Sequence, residues 1–129
     1  MLLDTSGLLC YFDAADDRHA NADAYFHAAP LRLVHSYILA EFIPLCQVRG
    51  LNRSATLSFV EDLMLSPRIE IIWVDEALHQ SAFALLQARL DKTYSLCDAV
   101  SFVLMKGRGL MDALTTDHHF EQEGFRRLL

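Results

Sequence analysis

The chain is short of positive charge: 11 Lys and Arg stand against 17 Asp and Glu, a formal net charge of −6. That balance argues against nucleic-acid binding through a basic surface alone, which relies on clustered cations to neutralise phosphates. It leaves open phosphate binding through divalent cations, because an acidic pocket loaded with metal presents a locally positive face. Cysteine is scarce as well. Cys10, Cys46 and Cys97 are odd in number and form no C-x-x-C pair, so neither a disulfide framework nor a cysteine-based zinc site is indicated, and they read as small core residues. No stretch approaches the eighteen or more apolar residues of a membrane span, and Asp4 sits where a secretory leader would carry positive charge. The expectation is a soluble, cytoplasmic protein without membrane contact. Linkers, internal repeats and low-complexity tracts are absent too.

What is abundant is apolar surface. A hydrophobic content of 53% over 129 residues is enough for one core and too little for two, so residues 1–129 read as a single domain. Residues 1–4 read as a short buried strand, then a turn at Thr5-Ser6-Gly7 and a helix over 8–12. A helix over 18–29 follows from the spacing of Ala22, Tyr25, Phe26 and Ala29 and closes at Pro30. After a strand at 31–34, residues 37–43 form a helix apolar on nearly every side except at Glu41. Pro44 cannot donate to the Ala40 carbonyl, which predicts a kink or break beside that glutamate. Leu57, Val60, Leu63 and Met64 form one face of a helix beginning near Asn52. Residues 69–74 are the clearest strand, rich in β-branched and aromatic side chains. Helices over 76–90 and 94–105, the second stopping at Lys106-Gly107, lead to a strand at 111–115, a short amphipathic turn at 118–122 and a last strand at 125–129. Alternating strands and helices imply right-handed crossovers and a parallel sheet covered on both faces, so the class is α/β.

Four acids sit at junctions of this frame. Asp4 ends the first strand, Asp117 ends the fourth, Asp98 opens the helix before the fourth, and Glu41 lies on the helix after the second. Each has a structural reading. Ser95-x-x-Asp98 is close to a capping box, Asp4 suits a strand-to-helix turn, and Asp117 suits an N-cap. Together they suggest more. If the first and fourth strands are neighbours where strand order reverses, their carboxyl ends flank the crevice in which α/β proteins bind ligands. Clustered carboxylates repel and raise one another's pKa, whereas Mg²⁺ or Mn²⁺ prefers such oxygens and supports phosphodiester hydrolysis. Ser95 then reads as the cap, with Asp98 turned toward the crevice. His118-His119 tempts a zinc reading, but adjacent helical positions do not face one site and no partner has ligand spacing, so His119-Phe120 reads as packing.

The stretches Leu2-Leu3-Asp4-Thr5-Ser6, Leu39-Ala40-Glu41-Phe42, Tyr94-Ser95-Leu96-Cys97-Asp98-Ala99 and Thr115-Thr116-Asp117-His118-His119-Phe120, in this order and spacing, resemble the PIN-domain ribonucleases, in particular the VapC-type toxins of bacterial toxin–antitoxin pairs. The resemblance implies an α/β/α sandwich with a five-stranded parallel sheet in the order 3-2-1-4-5. It also implies RNA cleavage dependent on Mg²⁺ or Mn²⁺, a homodimer, and inhibition by a cognate antitoxin. Carried over residue by residue, it makes Asp4, Glu41, Asp98 and Asp117 the metal-site acids, with Ser6 and Thr115 as supporting hydroxyls. Arg49, Arg53, Arg89, Lys92 and Arg108 are the candidate RNA contacts. Pro44 departs from the pattern and favours an alternative, a catalytically weak PIN-like binding module acting through a protein partner. A haloacid-dehalogenase-type phosphatase would need a second aspartate where this chain has Ser6.

Overall fold

Five short strands form one parallel sheet: β1 (Leu2–Leu3), β2 (Arg32–His35), β3 (Ile69–Ile72), β4 (Asp112–Leu114) and β5 (Arg126–Arg127). The computed structural model describes residues 1–129. Strand order is β3-β2-β1-β4-β5, the order expected above, so β1 and β4 are neighbours at the point where the winding reverses. Register places Leu2 beside both Leu33 and Ala113, and Leu3 beside Leu114. The central strands are buried on both faces, as a parallel sheet between helical layers requires: Leu2, Leu3, Leu33, Val34, Ala113 and Leu114 are all fully buried.

Right-handed crossovers put α1 (Thr5–Phe12), α2 (His19–Ala28), α3 (Ser36–Val48) and α4 (Arg53–Leu65) on one face, and α5 (Glu76–Ala88), α6 (Leu96–Arg108) and α7 (His119–Gln122) on the other. Aromatic rings anchor each layer. Phe42 meets Phe12 and Phe59 on the first face, and Phe102 meets Tyr94, Phe120 and Phe125 on the second. Gly7 lets α1 lie directly on the end of β4: a Cβ there would fall 1.9 Å from the Leu114 carbonyl oxygen, so no side chain fits without moving backbone.

Two local expectations are corrected. Helix α3 runs unbroken through Pro44, because Ala40 and Pro44 both face solvent and water can satisfy the carbonyl that proline leaves without a donor. Helix α6 continues through Gly107 and stops at Gly109, whose φ of 63° gives the left-handed cap. No helix is long and apolar enough to cross a membrane.

Candidate active site

Asp4 leaves β1 and caps α1, so its carboxylate is fixed at the carboxyl edge of the sheet. Its Oδ2 accepts from Thr115 Oγ1 at 2.7 Å, Ser6 Oγ at 2.9 Å and the Ser6 N–H at 3.4 Å. Ser6 in turn accepts from the Thr116 N–H at 2.9 Å. These bonds tie the end of β1 to the end of β4. Burial nonetheless pushes the Asp4 carboxyl up to about 6, with the Asp98 charge adding to it and the Thr115 and Ser6 hydrogen bonds opposing.

Asp98 performs two jobs at once. Ser95 Oγ accepts from the Asp98 N–H at 3.0 Å, and Asp98 Oδ2 accepts from the Ser95 N–H at 2.8 Å, a complete capping box. The expected division, with serine capping and the acid turned away, is therefore corrected: one carboxylate oxygen closes the cap and only the other is free for the crevice. Burial raises the Asp98 pKa, and the Asp117 charge raises it further.

Glu41 also differs from expectation. Its apolar neighbours suggested a buried helix position, yet Leu39 and Phe42 turn inward while Glu41 is exposed. It is still anchored, because Thr5 Oγ1 donates to its Oε2 at 3.2 Å. Beside it lies Cys97, whose thiol pKa is driven up by burial and by Glu41, Asp4 and Asp98. Asp117 follows β4 in a turn, where its Oδ1 accepts from the His119 N–H at 2.9 Å and its own N–H donates to Thr115 Oγ1 at 3.0 Å. It thus also supplies the capping role read for it above, since His118 itself makes no side-chain cap bond.

Three participants escaped the sequence reading. Thr5 holds Glu41, Cys97 faces three of the acids, and His119 sits in the site rather than in the packing. His119 Nδ1 lies 3.1 Å from Asp117 Oδ1 and 3.6 Å from Asp98 Oδ2, while Phe120 is the residue that packs. The adjacency argument failed because His118 precedes α7 instead of lying within it: the two rings are 4.5 Å apart, and with Asp117 they bring three ligand-type atoms within 4.8 Å of one another. Asx geometry before a short helix, D-x-H, was the available signal.

Among the basic candidates, Arg89 is paired with Glu123 and Arg108 is bonded through two nitrogens to Glu70. Lys92 contacts Asp91 and Arg53 donates to Gln47; Arg49 is exposed at the end of α3. A cavity of about 570 Å³ near Met1, Tyr25, Asp112 and Arg126 lies at the amino ends of the strands, away from the acids.

The donor set fits a hard divalent cation. Asp4, Glu41 and Asp98 are each fixed through one oxygen by hydroxyl or backbone donors. Their ion-pair contacts and those of Asp117 are with His118 and His119 alone. No lysine or arginine pairs with any of the four, so a divalent cation suits the set.

A PIN domain model matches residues 1–125. The chain is similar to the 23S rRNA-specific endonuclease VapC20 of Mycobacterium tuberculosis, in strains CDC 1551 / Oshkosh and ATCC 25618 / H37Rv, with 28% identity over 126 residues, 97% of this chain and 95% of the relative. A crystal structure of Mycobacterium tuberculosis VapC20, described as a sarcin-ricin loop cleaving toxin, superposes with a TM-score of 0.88 at 27% identity, again over 97% of this chain and 95% of that one. By sequence and by fold, the chain belongs to the PIN-domain family.

Proposed function

We propose that this chain is a VapC-type toxin, an endoribonuclease that hydrolyses RNA phosphodiester bonds with Mg²⁺ or Mn²⁺ held by Asp4, Glu41, Asp98 and Asp117. The observation that carries the reading is the arrangement of carboxylates at the switch point with no lysine or arginine paired to them. When bound, such an ion activates water near neutral pH and stabilises the leaving oxygen of an in-line displacement. The chain does the positioning. Ser6 and Thr115 aim Asp4, Ser95 fixes Asp98, Thr5 ties Glu41 to α1, and the turn after β4 holds Asp117 near Asp98, with His119 contacting both.

RNA is the substrate class that family and relative support, and 23S rRNA is the first candidate to try because VapC20 acts on it. A cognate antitoxin, a homodimer and a cytoplasmic location belong to the same proposal. Of the candidate RNA contacts, Arg49 and Arg53 carry no ion pair, while Lys92, Arg89 and Arg108 are engaged by Asp91, Glu123 and Glu70. The weak-module alternative rested on Pro44 displacing Glu41. The unbroken α3 and the Thr5–Glu41 bond favour the hydrolase.

The test is incubation of the purified chain with total RNA, with Mn²⁺ or with EDTA, followed by mapping of new 5′ ends. Discrete ends that need the ion support the reading. An RNA profile identical under both conditions overturns it.

A further inference from the structure

The ring of His119 is wedged between two of the acids, with its side chain only 16% exposed. Its Nδ1 lies 3.1 and 3.2 Å from the two oxygens of Asp117 and 3.6 Å from Asp98 Oδ2. Its Nε2 lies 3.1 Å from Thr93 Oγ1. An ionised carboxylate only accepts, so Nδ1 carries the proton whether the ring is neutral or charged, and in the neutral ring Nε2 accepts from the Thr93 hydroxyl. The acids thus set the tautomer, and the Thr93 hydroxyl, able to donate or accept, complements it on the far side.

The ring plane is held as well. Tyr94 meets it edge-on with centroids 5.4 Å apart, and the Tyr94 hydroxyl donates to Glu123 Oε2 at 3.1 Å. Glu123 is itself fixed by Lys106 at 2.7 Å and Arg89 at 3.3 Å. The stack Glu123–Tyr94–His119 therefore couples α6, α7 and the loop before α6, the elements from which Asp98 and Asp117 project.

We propose that His119 is a positioning residue for the reaction, its Nδ1–H hydrogen-bonded to Asp117 and its ring lying in charge-contact range of Asp98, 3.6 Å away, so that two repelling carboxylates stay at one separation. The proposal rests on the metal-dependent reading of those acids given above. Without the ring between them, like charges drive the pair apart, and Asp117, whose side chain is 29% exposed, turns toward solvent. Hydrogen-bond partners that orient metal-binding side chains contribute about 10- to 100-fold to metal affinity.

The experiment uses the full chain as wild type, His119→Ala, His119→Asn, His119→Gln and Thr93→Val. An Asn side-chain nitrogen falls near the Nδ1 position and a Gln nitrogen near Nε2, so only Asn restores the donor where it is needed. Long-range ¹H–¹⁵N correlation in wild type reads the tautomer without any RNA, and Nδ1–H is expected, with Thr93→Val weakening that preference. Mn²⁺ titration followed by paramagnetic resonance is expected to show half-saturation raised about ten-fold in His119→Ala and His119→Gln, and within about three-fold of wild type in His119→Asn. Cleavage by His119→Ala should be lost at limiting Mn²⁺ and recovered at saturating Mn²⁺, with the melting point in EDTA lowered to the same small extent in Ala and Asn, both of which lose the ring packed on Tyr94. An Nε2–H tautomer, a wild-type Mn²⁺ midpoint in His119→Ala, or no advantage of Asn over Gln overturns the proposal. If wild type binds Mn²⁺ in this pattern yet leaves RNA intact, the endoribonuclease reading falls and the role of His119 stands.

Discussion

Two acids in this protein, Glu123 and Asp4, both keep their side chains from solvent, though only Asp4 is buried as a whole residue, and they are treated in opposite ways. The Glu123 side chain, 4% exposed, is ringed by Lys106, Arg89 and the Tyr94 hydroxyl. Burial pushes its pKa up, but the hydrogen bonds from Lys106, Arg89 and Tyr94 outweigh that, and the net shift is downward. Asp4, 5% exposed, receives only hydroxyl and backbone donors, and its carboxyl rises to about 6. The chain can neutralise a buried acid with its own cations, and does so where α6, α7 and the neighbouring loop must be joined. At the crevice it supplies no lysine or arginine, only the His118 and His119 rings. A buried charge without a partner costs stability, so retaining one marks a place where charge is delivered from solution.

The sharpest way to break this comparison is to remove charge from the crevice. Asp4→Asn and Asp98→Asn are expected to lose several kcal/mol of transition-state stabilisation, about a thousand-fold in cleavage rate, while circular dichroism shows the fold intact. Undiminished rates in both variants would disprove the metal-site assignment. Adding Mn²⁺ comes next in size: at about one hundred times its dissociation constant, the ion should stabilise wild type by about 2.7 kcal/mol and leave Asp4→Asn nearly unmoved in a thermal melt. Glu123→Gln tests the other pole. Losing an acceptor shared by two partly exposed cations should cost about 2 kcal/mol, measured by urea denaturation, with the same loss in EDTA and in Mn²⁺.

The smallest effect is in pH. A carboxyl raised from 3.8 to about 6 on folding contributes stability that is present at low pH and lost as pH rises through 6. In EDTA the melting point of Asp4→Asn should therefore gain on wild type between pH 4 and 6.5, and Mn²⁺ should close the gap. His35 works the other way. Buried and bonded to Ser101, it has a pKa lowered to about 3 by burial, so its contribution holds above pH 6.5 and is lost as pH falls toward 3 in both chains, cancelling from the difference.

The sheet was legible because buried parallel strands leave short apolar runs between helical periods, and Asp4 and Asp117 were legible because they end two of those runs. Depth was less so. Periodicity says which residues share a face of α3, not how far Glu41 stands from solvent, and its exposure came only with the packing of Leu39 and Phe42. The end of α6 depended on which of Gly107 and Gly109 takes positive φ, a choice that composition does not make. Thr5 and His119 were missed for a common reason. Each acts on an acid across a turn or between elements, and spacing along the chain carries no trace of contacts such as Thr5 with Glu41, 36 residues apart.

The bond from Thr115 to Asp4 spans 111 positions. A chain emerging from the ribosome therefore exposes Asp4 and Glu41 long before, and Asp98 shortly before, β4 arrives to set the first of them. Closing so long a span comes late in folding, since non-local contacts are rewarded only after the loop is closed. Synthesis itself thus acts as a timer, and a nascent copy short of Thr115 holds three of the acids and no working crevice.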